Sequence, residues 1–161
     1  MKLIVFSDSA YGNLPKNGSQ CGYIIFLTDE SEKHKNPVAW KSVKIERVCR
    51  SALAAEGLGM VNAIDHAMFV METLQKMMDM DQKIPIVCYT DNKSLSEVLQ
   101  KTKDPEEKRL ICALAPIRDS IERNEIVVKL IKSKEMPADI LTKRGVNSCV
   151  LRHHLECKRG E

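Results

Sequence analysis

"LIVFSDSA", residues 3–10, starts with four apolar residues of strand type and then places an acid between two serines. A lone aspartate after a strand is ordinarily a turn residue, because Asp and Ser side chains hydrogen-bond the backbone beyond the strand. The same design recurs in "IPIVCYTD", residues 84–91, where a second apolar strand ends in Asp91. If the two strands are neighbours in a sheet, Asp8 and Asp91 converge at one edge of it.

The hydrophobic pattern of the first half of the chain changes from strand to helix. The first 44 residues contain three strand-like runs joined by short turn-rich or charged loops, which predicts an antiparallel meander. From Ser51 to about Asp79, apolar residues recur every three or four positions, which predicts one long helix with Ser51 as its N-cap. The almost wholly apolar run that ends at Asp91 is typical of a central strand covered on both faces.

The second half of the chain carries further helix-like and strand-like patterns. The order of elements is βββαβααβα, which predicts an α/β fold: a five-stranded mixed sheet, with three antiparallel strands and then parallel strands, flanked by helices. The predicted elements after Asp91 are a helix at 92–101, a helix at 105–124 that Pro105 begins and Pro116 kinks, a strand at 125–132, and a helix within 136–145 that ends near Gly145.

Size and composition limit the class of protein. A chain of 161 residues with 43% hydrophobic content predicts one domain over 1–161, with a core at about 1–145 and a C-terminal helix or tail at 146–161. No apolar run approaches the roughly 20 residues of a membrane span, so we expect no membrane contact. The six cysteines form no CxxC pair, which favours a reducing, intracellular setting. The net charge of +3 is too small to identify a polyanionic partner by itself.

Two further acids lie where they can join Asp8 and Asp91. Glu56 stands beside the apolar stripe of the long helix, where a carboxylate is costly unless it has a partner. Asp139 falls in the first turn of the helix predicted after the fifth strand. An acid at a helix N-terminus also has a simpler explanation, since it stabilises the helix dipole. Both readings of Asp139 stay open on the sequence alone.

The residue types of these four acids point to a particular chemistry. Carboxylates packed together repel one another and raise each other's proton affinity unless cations lie between them. Oxygen ligands without His or Cys suit hard ions such as Mg²⁺ or Mn²⁺. Two such ions about 3.5–4 Å apart clamp a phosphodiester, because one activates water and the other stabilises the leaving oxygen. The set of acids therefore predicts metal-dependent hydrolysis of a phosphodiester.

Six short motifs around the acids follow one another over nearly the whole chain: "FSDSAYGN", "GSQCGYIIFL", "PVAWKSVKIERVCRSALAAE", "YTDNKSL", "EKRL" and "ADILTKRG". Taken in this order, the motifs resemble the ribonuclease H domain of copia-type LTR retrotransposon Pol polyproteins. The resemblance implies a ribonuclease H-like fold and a catalytic, metal-binding tetrad of Asp8, Glu56, Asp91 and Asp139 for two Mg²⁺ ions, with Mn²⁺ as a substitute. It also implies that Asp8 bridges both ions. Glu56 and Asp91 would then hold the leaving-group metal, and Asp139 the metal that activates water.

The sequence departs from the family pattern in three places. Many copia-type domains have two acids before the aromatic of the first helix, but "LAAEG", residues 53–57, has Ala54 at the first, which leaves Glu56 as the candidate. The loop "KSKEMPAD" before Asp139 lacks the histidine of cellular and retroviral relatives, which predicts slow product release. No basic helical protrusion separates the helices after Asp91, so hybrid affinity is expected to depend on an upstream partner domain.

Recognition of an RNA–DNA hybrid requires contacts to the 2′-hydroxyls across its wide minor groove. Asn92 and Ser94 stand at a helix N-terminus that suits a phosphate or sugar, or they only cap that helix. Lys143 and Arg144 contact phosphate, or they interact with the end of their own helix. The expected substrate-binding residues are Ser51, Ala52, Asn92, Ser94, Lys143 and Arg144.

The resemblance implies a ribonuclease H that cuts the RNA strand of RNA–DNA hybrids during reverse transcription and leaves 3′-hydroxyl and 5′-phosphate ends. Its partner would be the reverse transcriptase domain of the same polyprotein, and its setting a cytoplasmic retroelement particle or the nucleus. Two alternatives stay open: a decayed or host-adopted domain that binds hybrid or protein, and another nuclease of the same fold, such as an integrase or resolvase. The order Asp, Glu, Asp, Asp argues against the integrase.

Overall fold

A five-stranded mixed sheet forms the centre of the molecule. The computed structural model describes residues 1–156; residues 157–161, the end of the predicted tail, lie outside the described part. The sheet order is β3-β2-β1-β4-β5, with β1, β2 and β3 antiparallel and β4 and β5 added in parallel, which confirms the predicted fold class. The strands are β1 Lys2–Leu14, β2 Gly18–Thr28, β3 Lys35–Lys44, β4 Ile86–Thr90 and β5 Ile126–Leu130.

Four α-helices flank the sheet within residues 1–156. The longest, α1, begins as predicted, because the Ser51 hydroxyl accepts a hydrogen bond of 3.0 Å from the Ala54 amide. It ends where Asp79 turns into the left-handed region at φ 49°. No helix in this part of the chain is long and apolar enough to cross a bilayer. The helices are α1 Ala52–Met78, α2 Lys93–Leu99, α3 Lys108–Glu122 and α4 Cys149–Leu155.

Each face of the sheet has its own apolar core. Residues that alternate along β1 and β2 divide between the faces, as the two-residue period of a strand requires. The first face carries the larger core and packs against α1, α2 and α3. The second face carries Ile4, Phe6, Ile24 and Phe26, which pack against Met136 and Ala138 and, at the edge of the cluster, against α4.

Two of the predicted helices differ from the structure. The helix predicted from Pro105 begins instead at Lys108. The buried guanidinium of Arg118 donates to the Val98 carbonyl at 2.7 and 2.9 Å and to the Asp104 carboxylate at 3.1 Å. These bonds fix the connection that precedes Pro105 in a non-helical path. Pro116 lies inside α3, which continues past it to Glu122.

The helix predicted within 136–145 is a short 3-10 turn, Pro137–Leu141. The carbonyls at the end of this turn accept hydrogen bonds from side chains of the sheet. The carbonyl of Leu141, the last residue of the turn, accepts from Gln20 and Ser42, and the carbonyl of Thr142, the next residue, accepts from Asn13. Carbonyls that are occupied in this way do not extend an α-helix. Within residues 1–156, the last helix is α4, which lies inside the predicted tail. The prediction of one domain over 1–161 stays a prediction.

Candidate active site

Asp8 and Asp91 come together where the parallel pairing of β1 and β4 ends. Strands β1 and β4 are parallel neighbours in which Phe6 pairs with Tyr89. Asp8 and Asp91 each stand two residues beyond that pair, so both lie just past the end of the parallel pairing. The prediction that the first strand ends at Asp8 is wrong, because β1 continues in antiparallel pairing with β2 and ends at Leu14. Asp8 is 2% exposed, and Asp91, which follows the last residue of β4, is half-buried.

The long helix brings Glu56 to the same place from the first face of the sheet. Glu56 lies in the second turn of α1, where its side chain is 8% exposed. The backbone amide of Ser9 on β1 donates a hydrogen bond to its carboxylate. This contact ties α1 to β1 directly beside Asp8.

Asp8, Glu56 and Asp91 form one carboxylate cluster. One oxygen from each side chain lies within 4.8 Å of the others. Within residues 1–156, no other group of three or more His, Cys, Asp and Glu side chains comes together in a way that could hold a metal ion. The cluster is negative and largely removed from water, so it has a strong electrostatic demand for a cation.

Proton affinities in the cluster reflect that demand. Burial raises the pKa of Glu56 to about 8, and the charges of Asp8 and Asp91 add to the shift. Burial also raises the pKa of Asp8 to about 6, against the hydrogen bond from Thr142, which lowers it. Without a bound cation, the cluster therefore holds a proton at neutral pH.

The fourth predicted acid, Asp139, lies nearby but outside this group of three. It stands in the 3-10 turn Pro137–Leu141, and its carboxylate accepts a hydrogen bond from the Lys143 ammonium four residues later. Its charge contributes to the raised pKa of Asp8, and its carbonyl oxygen lies 3.2 Å from the Thr142 hydroxyl that donates to Asp8. Partial burial lowers the pKa of Lys143, but the hydrogen bond to Asp139 and the charges of Asp8, Asp139 and Asp91 outweigh it and raise that pKa.

The expected substrate-binding residues differ in the roles that they have in the structure. Ser51 and Asn92 cap α1 and α2 with their side-chain oxygens, so the structural alternative for Asn92 is observed. Ser94 is exposed and shares a cleft with Ser51 beside α1. Lys143 pairs with Asp139 rather than standing free. Ala52 and Arg144 are both exposed.

Sequence reasoning missed Thr142, which contacts Asp8. Its side chain is 4% exposed, and its hydroxyl donates to Oδ2 of Asp8. A threonine three residues after a candidate acid carries no recognisable signal in one sequence. Its importance depends on a contact across 134 residues of chain.

The donor set fits a divalent cation. Asp8, Glu56 and Asp91 offer only carboxylate oxygens, which are the ligands that Mg²⁺ and Mn²⁺ prefer. The burial and raised pKa values of Asp8 and Glu56 describe a site whose negative charge is not balanced by the protein alone. Asp139 is available as a fourth ligand if the Lys143 ammonium moves away from it.

The solved structures similar to this chain share one architecture. The LC11-RNase H1 complex with an RNA/DNA hybrid has a TM-score of 0.60 at 22% identity and covers 87% of this chain and 93% of that one. The N-terminal RNase H domain of rv2228c from Mycobacterium tuberculosis has a TM-score of 0.64 at 15% identity and covers 96% of each chain. The chain has the ribonuclease H fold. At these identities, the structural similarity establishes the fold alone.

The curated relatives are retrotransposon polyproteins. The Gag-Pol polyproteins of the copia-type transposons Ty1-NL2 and Ty1-DR6 from Saccharomyces cerevisiae are 27% identical to this chain over 146 residues. The match covers 88% of the chain, and the chain spans about 8% of the length of those relatives. No protein-family model matches the chain. The resemblance to copia-type Pol polyproteins that the sequence indicated is confirmed.

Proposed function

We propose that the chain is a metal-dependent ribonuclease H that hydrolyses the RNA strand of RNA–DNA hybrids. The observation that carries the proposal is the carboxylate cluster of Asp8, Glu56 and Asp91 just past the end of the parallel pairing between β1 and β4. The fold and the similarity to Ty1 Gag-Pol polyproteins support the choice of substrate. The LC11 enzyme of the same fold is itself described in complex with an RNA/DNA hybrid.

Some groups of the site would bind the metal ions, and others position the carboxylates that bind them. Asp8, Glu56 and Asp91 would hold two Mg²⁺ ions, with Asp139 as a further ligand, and Mn²⁺ would substitute. When bound, these ions supply an activated water and charge stabilisation of the leaving 3′ oxygen. The Ser9 amide holds Glu56, and Thr142 holds Asp8, so both carboxylates are oriented before substrate arrives. Cleavage would leave 3′-hydroxyl and 5′-phosphate ends.

The biological setting of the proposal follows from the relatives. In a polyprotein of the Ty1 kind, such a domain would degrade template RNA during reverse transcription, next to the reverse transcriptase domain of the same chain. The setting would be an intracellular retroelement particle, cytoplasmic or nuclear. A decayed domain that only binds hybrid is the alternative, and a cleavage assay would distinguish it from the enzyme.

The experiment is cleavage of an end-labelled RNA strand in an RNA–DNA hybrid with Mg²⁺ or Mn²⁺. Duplex DNA and duplex RNA are tested separately as comparison substrates. Asp91→Asn is the test variant, and Asp81→Asn, the same change at an exposed position before β4, is its matched control. We expect metal-dependent cutting of the hybrid only, lost in Asp91→Asn and kept in Asp81→Asn. Folded protein that binds hybrid but does not cut it, alone or with a polymerase domain added, would contradict the proposal.

A further inference from the structure

The hydroxyl of Thr142 contacts Asp8 from the second face of the sheet. Thr142 follows the 3-10 turn Pro137–Leu141, and its Oγ1 donates to Oδ2 of Asp8. The same Oγ1 lies 3.2 Å from the Asp139 carbonyl. A hydroxyl has one proton, and an ionised carboxylate is a stronger acceptor than a carbonyl. The proton is therefore directed to Asp8.

The backbone at Leu141 and Thr142 is fixed by hydrogen bonds from three side chains of the sheet. Gln20 Nε2 and Ser42 Oγ donate to the Leu141 carbonyl at 3.1 and 2.6 Å, and Asn13 Nδ2 donates to the Thr142 carbonyl at 3.1 Å. We call the side chains of Asn13, Gln20 and Ser42 the clasp. Its members also bond one another, since Gln20 links Asn13 at 3.0 Å to Ser42 at 2.8 Å. The clasp fixes the backbone of Thr142 against β1, β2 and β3.

A glycine permits this close approach. Gly22 on β2 pairs with Asp8 in the antiparallel register. A Cβ at Gly22 would lie 2.5 Å from the Leu141 Cβ and 3.0 Å from the Thr142 Cγ2, both inside ordinary contact distance. The missing side chain of Gly22 thus leaves the space in which Thr142 reaches Asp8.

The Thr142 hydroxyl is well placed to set the orientation of the carboxylate. Among residues 1–156, no other group donates a hydrogen bond to the Asp8 side chain. Threonine is branched at Cβ, so its χ1 angle is restricted and its hydroxyl direction follows the clasped backbone. A carboxylate held in one rotamer binds a cation without losing further conformational freedom.

We propose that Thr142 is a positioning residue that orients the Asp8 carboxylate for cation binding, and that the clasp holds Thr142 in place. The inference rests on the proposed function in that it takes the cluster to bind divalent ions. Groups that hydrogen-bond a metal ligand from outside ordinarily contribute about 10–100-fold to metal affinity. The Thr142 hydroxyl acts through Asp8 and needs no contact with the substrate.

The test compares Thr142→Val, which keeps the shape and removes the hydroxyl, with Thr142→Ser, which keeps the hydroxyl. Mn²⁺ and Mg²⁺ affinities are measured by titration calorimetry on the whole chain. Thr28→Val is the matched control, because the buried Thr28 hydroxyl donates to the His34 carbonyl at the opposite end of β1 and β2. We expect Thr142→Val to raise the metal Kd about 10–100-fold, and Thr142→Ser and Thr28→Val to stay near the wild-type value.

A second readout does not depend on metal. In the metal-free protein, the ¹³C resonance of the Asp8 carboxyl should shift in Thr142→Val and stay near its wild-type position in Thr142→Ser and Thr28→Val. Unchanged metal affinity in Thr142→Val, or equal weakening in the Val and Ser variants, would overturn the inference. If wild-type protein binds no metal, an unchanged Asp8 resonance in Thr142→Val overturns it.

Failure of the proposed function is a separate result. Wild-type protein that binds Mn²⁺ but leaves hybrids intact would contradict the ribonuclease proposal while the comparison of Thr142 variants still decides the positioning role. Hybrid cleavage by Thr142→Val at the wild-type rate and the wild-type metal concentration would contradict the positioning role alone.

Discussion

Glu56 is the residue whose protonation the fold changes most within the carboxylate cluster. Its pKa rises from an ordinary 4.5 to about 8 because it is buried beside Asp8 and Asp91. The folded metal-free protein therefore binds a proton more tightly there than the unfolded chain does. Linkage then requires that stability is highest below pH 4.5 for this group and falls as pH rises towards 8. Asp8 adds the same trend between pH 3.8 and about 6.

Replacing Glu56 with Gln should remove most of the loss of stability above pH 6.5. Glutamine keeps the size of the side chain and cannot ionise, so the metal-free variant has no charge to bury at position 56 at pH 8. We expect the wild-type melting temperature to fall between pH 6.5 and pH 8.5 and that of Glu56→Gln to stay nearly constant. Thermal melts in a chelating buffer measure this, with Glu72→Gln, an exposed position on α1, as control. Parallel slopes in Glu56→Gln and wild type would contradict the assignment.

At the scale of elements, α1 and β1 are in close contact beside the site. Gly59 on α1 faces Ser9 on β1, and a Cβ at Gly59 would lie 2.3 Å from the Ser9 hydroxyl. That hydroxyl is buried without a hydrogen-bond partner. Alanine is favoured over glycine in a helix by about 1 kcal/mol. The clash with Ser9 opposes this preference for alanine, and we expect the clash to outweigh the preference.

Gly59→Ala should destabilise the protein by about 1–3 kcal/mol, as other overpacked cores are destabilised. The cost should be smaller by about 1 kcal/mol or more in a Ser9→Ala background, because the Ser9 Cβ lies 3.7 Å from the added carbon. Ser9→Ala keeps the backbone amide that holds Glu56. Urea unfolding of the two single variants and the double variant measures the coupling. Additive costs would show that Ser9 is not the obstacle.

The second face of the sheet is covered in part by α4, which contributes the half-buried His154. The His154 ring lies 5.0 Å from the Phe6 ring and 6.1 Å from the Phe26 ring. Burial lowers the pKa of His154 to about 4, and the nearby charges of Lys35 and His153 add to the shift. The unfolded chain binds this proton more tightly, so the contribution of His154 to stability is lost as pH falls from 6.5 to about 4.

His154→Phe should therefore protect α4 in acid. Phenylalanine keeps an aromatic ring against Phe6 and Phe26 and cannot be protonated. Hydrogen exchange of α4 amides, compared with intrinsic rates at each pH, should show opening below pH 6 in the wild type and little opening in the variant. His34→Phe tests whether loss of any histidine has the same effect. Equal opening of α4 in wild type and His154→Phe would contradict the account.

At the scale of the whole molecule, local patterns predicted most of the fold and part of the site. The convergence of Asp8 and Asp91 could be predicted because each follows an apolar strand segment, and the two segments pair in parallel, although β1 continues to Leu14. The helical period and the Ser51 cap located α1 within a residue. These features depend on neighbours in sequence or on a simple rule of sheet geometry.

The features that sequence reasoning missed depend on contacts between distant parts of the chain. Side chains of Asn13, Gln20 and Ser42 stop the helix expected within 136–145, and no local pattern records their position. The same docking creates the Thr142 contact to Asp8. Asp139 was expected with the other acids, but in the structure its carboxylate bonds the Lys143 ammonium.

The most direct test of the central claim is analysis of the products from an RNA–DNA hybrid by mass spectrometry. Wild type, Asp8→Asn, Glu56→Gln and Asp91→Asn are incubated with Mg²⁺, and each is repeated with a chelator. The account predicts RNA fragments with 3′-hydroxyl and 5′-phosphate ends in the wild type with metal, and their loss in all three variants and with the chelator. Fragments with 2′,3′-cyclic phosphate ends, or equal cutting by the variants, would show that the carboxylate cluster is not the catalytic site.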